Sequence, residues 1–199
     1  MKKLSLVLIS LIVILETSFA NTYSSDPEIF VKEIVNDSTK ILSNKNISKD
    51  DKVKFIEKIA LENVDINALS LYTLGELRKS VNKDNLKKYQ QTFEKYFLRT
   101  LTSRLTDYSS SKFEVLSADK KSSNYTIVKS RIIGGEKQPN IKIDWRVYTK
   151  NPQKPLIRDL IVEGLSLART QKEEFASILN SNNNDINILI LKLEEFINN

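Results

Sequence analysis

Three carboxylates, Asp144, Asp159 and Glu163, are the side chains that could serve this chain as a general base. A carboxyl group ionises at about pH 4, so such work at neutral pH requires a desolvated site or a like-charge neighbour that raises its pKa. Composition closes most other chemistry. The 199 residues include no histidine and no cysteine, so zinc, haem and copper sites of the usual kinds, Cys–His dyads and Ser–His–Asp triads all lack an essential member. The formal charge of +6 and the pI near 9.3 permit attraction to anionic lipid surfaces or acidic proteins. The lysines are scattered among Asp and Glu without forming a block, and no basic–aromatic platform stands out, so nucleic acid is not an expected partner.

The elements that would position these residues follow from periodicity. Asp26-Pro27 is an N-cap followed by proline at the first helical position, and Phe30, Val31, Ile34, Val35, Ile41 and Leu42 continue an apolar face, predicting a helix to about Leu42. Ser48 and Asp51 resemble a capping box for a second helix carrying Val53, Ile56, Ile59, Ala60 and Val64. A short helix from Ile66 to Leu74 stops at Gly75, a natural left-handed C-cap. From Lys83 to Tyr108, apolar and aromatic residues recur at threes and fours, which predicts a long helix with an aromatic face.

After Tyr108 the period changes to two. Lys112–Ala118, Tyr125–Ile133, Ile141–Thr149 and Leu156–Gly164 read as strands of an antiparallel meander. In the third, Ile141, Ile143, Trp145 and Val147 share one dry face while Lys142, Asp144, Arg146 and Tyr148 share the other. Thr170 to Glu173 fits the S/T-x-x-E capping box of a helix packed through Phe175, Ile178 and Leu179. Asn182 to Asp185 breaks the chain before a closing amphipathic helix.

The first residues carry an address. Lys2 and Lys3 precede an uncharged run from Leu4 to Leu15, and Ser18-Phe-Ala20 offers a cleavage site before Asn21. A run of about 12 residues would span only roughly 18 Å of the roughly 30 Å hydrocarbon core, so it reads as a secretory signal peptide over 1–20. The expected product is one exported domain, 21–199, soluble and without a lipid anchor, because lipoprotein acylation needs a cysteine. Roughly 179 residues suffice for a core without disulfides.

Three motifs in order, Asp144-Trp-Arg146, Asp159-Leu-Ile-Val-Glu-Gly164 and Thr170-Gln-Lys-Glu-Glu-Phe-Ala-Ser-Ile-Leu179, resemble the periplasmic phospholipid shuttles of the MlaC type, also called toluene-tolerance auxiliary proteins. Val64 to Gly75 is similar to the family's Asp-led helix ending in Leu-Gly. Leu77 stands where many relatives have Trp, and Asn182 to Asp185 where they have a Gly-Gly-type turn. The resemblance implies an α+β fold similar to the nuclear-transport-factor-2 cone: N-terminal helices, a curved antiparallel sheet of about four strands and C-terminal helices enclosing an apolar pocket. It implies a monomeric carrier, not an enzyme, with bound phospholipid as cargo and no cofactor or metal. The implied partners are an inner-membrane ABC transporter with an MCE-type periplasmic ring and an outer-membrane lipoprotein complex.

The physical need for such a carrier is large. Two acyl chains of about 16 carbons hold roughly 30 methylenes, whose exposure at about 0.8 kcal/mol each costs on the order of 20 kcal/mol. The expected tail contacts are Tyr72, Leu74, Phe93, Tyr96, Phe97, Leu101, Trp145, Val147 and Val162. Two other readings stay open: an enzyme of the same cone fold using Asp144, Asp159 or Glu163 as base, and a periplasmic chaperone for apolar protein segments.

Overall fold

The structure is a computed structural model that describes residues 23–105, 112–134 and 139–199. The expected signal peptide, Tyr108 and part of the turn expected at 134–140 lie outside the described residues. The chain runs α1 (Pro27–Ser43), α2 (Lys49–Asn63), α3 (Ile66–Thr73), a 3-10 turn (Gly75–Lys79), α4 (Lys83–Leu105), β1 (Lys112–Ser122), β2 (Tyr125–Ile133), β3 (Ile141–Tyr148), β4 (Leu156–Val162), β5 (Leu165–Ser166), α5 (Leu167–Asn180) and α6 (Ile186–Asn198). This is an α+β fold, with one antiparallel open sheet in the order β1-β2-β3-β4-β5.

The helix starts obey their local chemistry. The Asp26 carboxylate accepts from the Glu28 and Ile29 amides with Pro27 beside it, and Ser48 Oγ accepts from the Asp51 amide, which satisfies donors that the first helical turn leaves unpaired. Gly75 follows α3 with φ +62°, the left-handed cap that its residue type favours. Asn183 and Asn184 also take positive φ, +53° and +57°; asparagine tolerates this region, so they fill the turn before α6 without glycine.

The sequence-based start of α5 requires correction. Thr170 does not cap it: the helix begins at Leu167 with Ser166 as the cap, and Thr170 Oγ1 donates to the Ser166 carbonyl from inside the first turn. Asp159 is the cause. Its buried carboxylate accepts from Ser166 Oγ at 2.6 Å and from the Ala168 amide at 3.0 Å, so the chain turns into helix as soon as it leaves the sheet. The fifth strand, absent from the sequence reading, has a similar local origin. Glu163 (φ +49°) and Gly164 (φ +84°) form a two-residue turn of positive φ, the geometry that returns a strand on itself, and Val162 then pairs with Leu165.

Apolar side chains collect into two cores. One lies among α3, α4, α5 and α6 and contains Leu69, Leu74, Tyr89, Phe93, Phe175, Leu189 and Leu193. The other joins Val128, Val147 and Ile157 of the sheet to Phe30, Val31 and Ile34 of α1 and Ile59 of α2. Among the described residues only Val64, at the end of α2, packs against both.

Candidate functional site

The register of the sheet assembles one apolar face from residues distant in sequence. Val147 lies opposite Thr126 and Ile157, Trp145 opposite Val128 and Leu160, Ile143 opposite Ser130 and Val162, and Ile141 opposite Ile132. Directly paired residues point to the same side of a sheet. Phe113 and Val115 of β1 join this face opposite Ile132 and Ser130, and Leu165 joins it opposite Val162.

Coverage of the face changes along the strands. Val147, at one end, and Val128, opposite Trp145, are 0% exposed in the core they share with α1 and Ile59 of α2. Trp145 and Leu160, in the middle, pack against that sealed part from its margin. Beyond them Ile132, Ile141, Ile143 and Val162 are partly buried yet belong to neither core. Leu165 at the rim is 70% exposed. The result is an apolar trough, sealed around Val147 and along its β1 side, where Phe113 and Val115 pack against the α1 core, and only partly buried from Ile143 toward the β4–β5 turn.

Trp145 is fixed within it. Its indole Nε1 donates to Ser130 Oγ at 2.9 Å, and Ser130 Oγ donates to the Ile143 carbonyl at 2.7 Å. Phe113 meets the indole edge-on, with ring centroids 6.1 Å apart at 87°. A buried indole N–H needs an acceptor, and Ser130 supplies one from the sheet itself.

The expected tail contacts divide into groups. Trp145 and Val162 lie on the trough face, and Leu101 is a partly buried residue on the final turns of α4 that belongs to neither core. Val147 shares the face but lies in its sealed part. Leu74, Phe93, Tyr96 and Phe97 sit in or against the helical core. There Phe93 meets Phe175 edge-on at 6.2 Å, and Tyr96 donates to Gln171 at 3.0 Å. Tyr72 is 41% exposed, with the Lys172 ammonium 5.1 Å from its ring centroid. The structure thus brings Trp145, Val147 and Val162 onto one face and places the aromatic stripe of α4 elsewhere. The sequence reading missed Ile132 and Ser130, since only strand register reveals that they share the face with Trp145. The alternation Ile141, Ile143, Trp145 was the signal that pointed to the face.

Two of the candidate bases, Asp144 and Asp159, face away from the trough, and the third, Glu163, sits in the β4–β5 turn bonded to backbone. Asp144 is on the outer side of β3, paired in register with Lys129 and Ile161. Asp159, also outward, holds the start of α5 and has Arg146 Nη1 3.8 Å away. The Glu163 carboxylate accepts from the Lys142 amide, and its own amide donates to the Lys142 carbonyl at 3.0 Å. Cross-strand charge pairs cover this outer side: Lys129 reaches Asp119 at 2.8 Å and Arg131 reaches Glu114 at 2.7 Å. The Lys129 hydrogen bond and charge hold the Asp119 carboxyl below its ordinary range.

A second polar cluster ties the sheet to the helices. Arg158 is the extra residue of a bulge in β4, where Arg146 and Val147 face Asp159 and Ile157. A bulge redirects its side chain. Its guanidinium reaches Asp65 through Nη2 at 2.7 Å and Nε at 2.8 Å, donates to the Tyr125 hydroxyl at 2.9 Å, and lies 3.4 Å from the Tyr148 ring centroid. Burial alone would lower its pKa, but the bonds to Tyr125 and Asp65 prevail and raise it. Asp65 also caps α3 by accepting from the Ala68 amide.

A depression of about 240 Å³ between α3 and α4 is lined by Ile66, Asn67, Lys87, Gln90, Gln91 and Glu94. All of its lining residues but Ile66 are polar or charged, so it does not suit an acyl chain. Among the described residues no cluster of acidic side chains is placed to hold a metal, and no helix is long and apolar enough to cross a membrane.

Residues 32–195 match the model of the family described as MlaC protein. The chain is also similar to a solved structure, the phospholipid-binding protein from Ralstonia solanacearum in complex with a phospholipid. The TM-score is 0.69 at 17% identity, over 84% of this chain and 94% of that one. At this identity the likeness shows a shared fold. No curated protein matches the chain.

Proposed function

Because the chain belongs to the MlaC family, we propose that it is a periplasmic phospholipid carrier, holding acyl tails in the trough of its sheet while the headgroup stays near solvent. The observation that carries this reading is the apolar face itself. Ile132, Ile141, Ile143 and Val162 are gathered beside Trp145 and left outside both cores, an arrangement that costs hydrophobic stabilisation unless something apolar occupies the space. The phospholipid bound by the similar Ralstonia protein fits the same interpretation. The outward placement of Asp144 and Asp159 and the bond of the Glu163 carboxylate to the Lys142 amide argue against general-base chemistry on a ligand in the trough. The carrier would be exported by its first 20 residues and shuttle lipid between an outer-membrane lipoprotein complex and an inner-membrane ABC transporter with an MCE-type ring. Because the trough replaces one apolar surround by another, transfer is nearly balanced in free energy, and the partners set its direction.

Native mass spectrometry of the gently purified protein, followed by lipid extraction, tests this. Adducts of diacyl phospholipid mass are expected. Captured peptide would favour a chaperone, and a folded protein that is lipid-free and takes up none from vesicles would end the carrier reading.

A further inference from the structure

We infer that Trp145 is the floor of the acyl trough and that Ser130 holds its indole there, so that this pair sets how far a lipid tail penetrates. The inference deepens the carrier reading and rests on it. The character of the face changes at this residue. On the α1 side the next position, Val147, is 0% exposed and sealed in the core, whereas on the other side Ile143 and Ile141 belong to neither core. A tail entering along β3 from Ile141 therefore meets the indole before the sealed core around Val147.

The indole is braced as a stop would need to be. The Nε1–Ser130 bond of 2.9 Å and the Ser130–Ile143 carbonyl bond of 2.7 Å tie it to two strands, and Phe113 supports it at its edge. An acyl chain offers no acceptor for the indole N–H. Ser130, 1% exposed, supplies a permanent one, so a tail can press on the ring without leaving a polar group unpaired. The length agrees. From Trp145 to Ile141 is four residues, about 13 Å at about 3.3 Å each, against about 15 Å for one leaflet of a roughly 30 Å hydrocarbon core. A tail with its methyl end on the indole thus brings its ester end to the Ile141 end of β3, past exposed Leu165, which lies opposite Val162 in the rank of Ile143.

The chain contains a single tryptophan, which makes the test direct, because bromine quenches indole fluorescence only at short range. The purified protein is loaded from phosphatidylglycerol vesicles whose acyl chains carry bromine near the ester, at mid-chain or near the terminal methyl, and uptake is scored by lipid phosphorus. The expected result is equal uptake of all three lipids with severalfold stronger quenching by the terminal bromines. Equal uptake with quenching that is uniform, absent or strongest near the ester overturns the floor and leaves the carrier standing. Absence of uptake overturns both. Ser130→Ala, scored per bound lipid, should lower the ratio of terminal to ester-proximal quenching, and an unchanged ratio removes Ser130 from the mechanism. Trp145→Ala, judged by native mass spectrometry against a mixed-length lipid pool, should shift the retained tails longer by about two to four methylenes, the space left by the truncated ring. An unshifted length profile in the folded variant counts against the floor.

Discussion

Tyr89 is fully enclosed among the helices, and its hydroxyl shares a 2.8 Å hydrogen bond with Thr73. Burial raises its pKa above the ordinary 10.0, against the smaller opposite effect of Thr73. The folded protein therefore holds this proton more tightly than the unfolded chain does. The resulting stability is fully present below pH 10 and declines as pH rises beyond it. Tyr89→Phe should cost about 1 kcal/mol at neutral pH through the lost hydrogen bond. That deficit should shrink above pH 10, because the variant has no phenol to ionise. Urea unfolding of both proteins from pH 7 to pH 11 measures this, and parallel stability curves would refute it. Asp159 illustrates a different point about single residues. A buried carboxylate in a motif invites a catalytic reading, yet its two short bonds to the start of α5 account for its position.

At the scale of elements, α1 decides which part of the sheet is core and which is trough. Val147 is fully buried in the core that Phe30, Val31 and Ile34 share with Ile59 of α2, so Val147→Trp should overpack that core and destabilise the fold by about 1–3 kcal/mol. Leu101→Trp, outside both cores, should leave the unfolding midpoint within a few degrees while lowering lipid retained per folded molecule. Circular dichroism and lipid phosphorus separate the two outcomes, and equal retention by folded Leu101→Trp and the parent protein would place Leu101 off the tail path. Much of this architecture was legible beforehand. The period of two in β3 and the Asp26-Pro27 and Ser48–Asp51 caps lie within short windows of sequence, where local propensity and burial act together. The aromatic stripe of α4 was legible as a stripe, but its destination was not. Periodicity shows that Phe93 and Tyr96 point inward without showing whether α5 and α6 or a ligand awaits them. Ser130 and Ile132 gave no signal because cross-strand register is a long-range property. Ser166 was missed as a cap because Asp159, seven residues earlier, draws the chain into helix ahead of the better-looking Thr170.

Over the whole molecule the positive charge is distributed rather than focused. On the outer face of the sheet Lys129, Arg131 and Arg146 all have acidic neighbours, so delivery of lipid should depend on protein contacts at the trough mouth and little on the net +6. Raising salt from 0.1 M to 1 M shortens the Debye length from about 10 Å to about 3 Å. If the proposed transporter is its partner, transfer to vesicles bearing that transporter should persist at moderate salt, while protein-free anionic vesicles should accept lipid slowly at any salt. Fast, salt-sensitive delivery to the bare vesicles would make the basic surface the working part. The same whole-molecule view gives meaning to the shape of β1, the strand at the sheet's margin. Its register slips between Val115 and Ser117 and again between Lys120 and Ser122, and Lys112, Lys120 and Lys121 are exposed along it. An edge strand with a regular ladder invites the edge of another copy, and a protein that also carries an unfilled greasy trough would then risk polymerising whenever it had delivered its cargo. Two breaks in the ladder and a row of lysines spoil that template, which would let the proposed carrier, once empty, drift back through a crowded compartment as a single molecule.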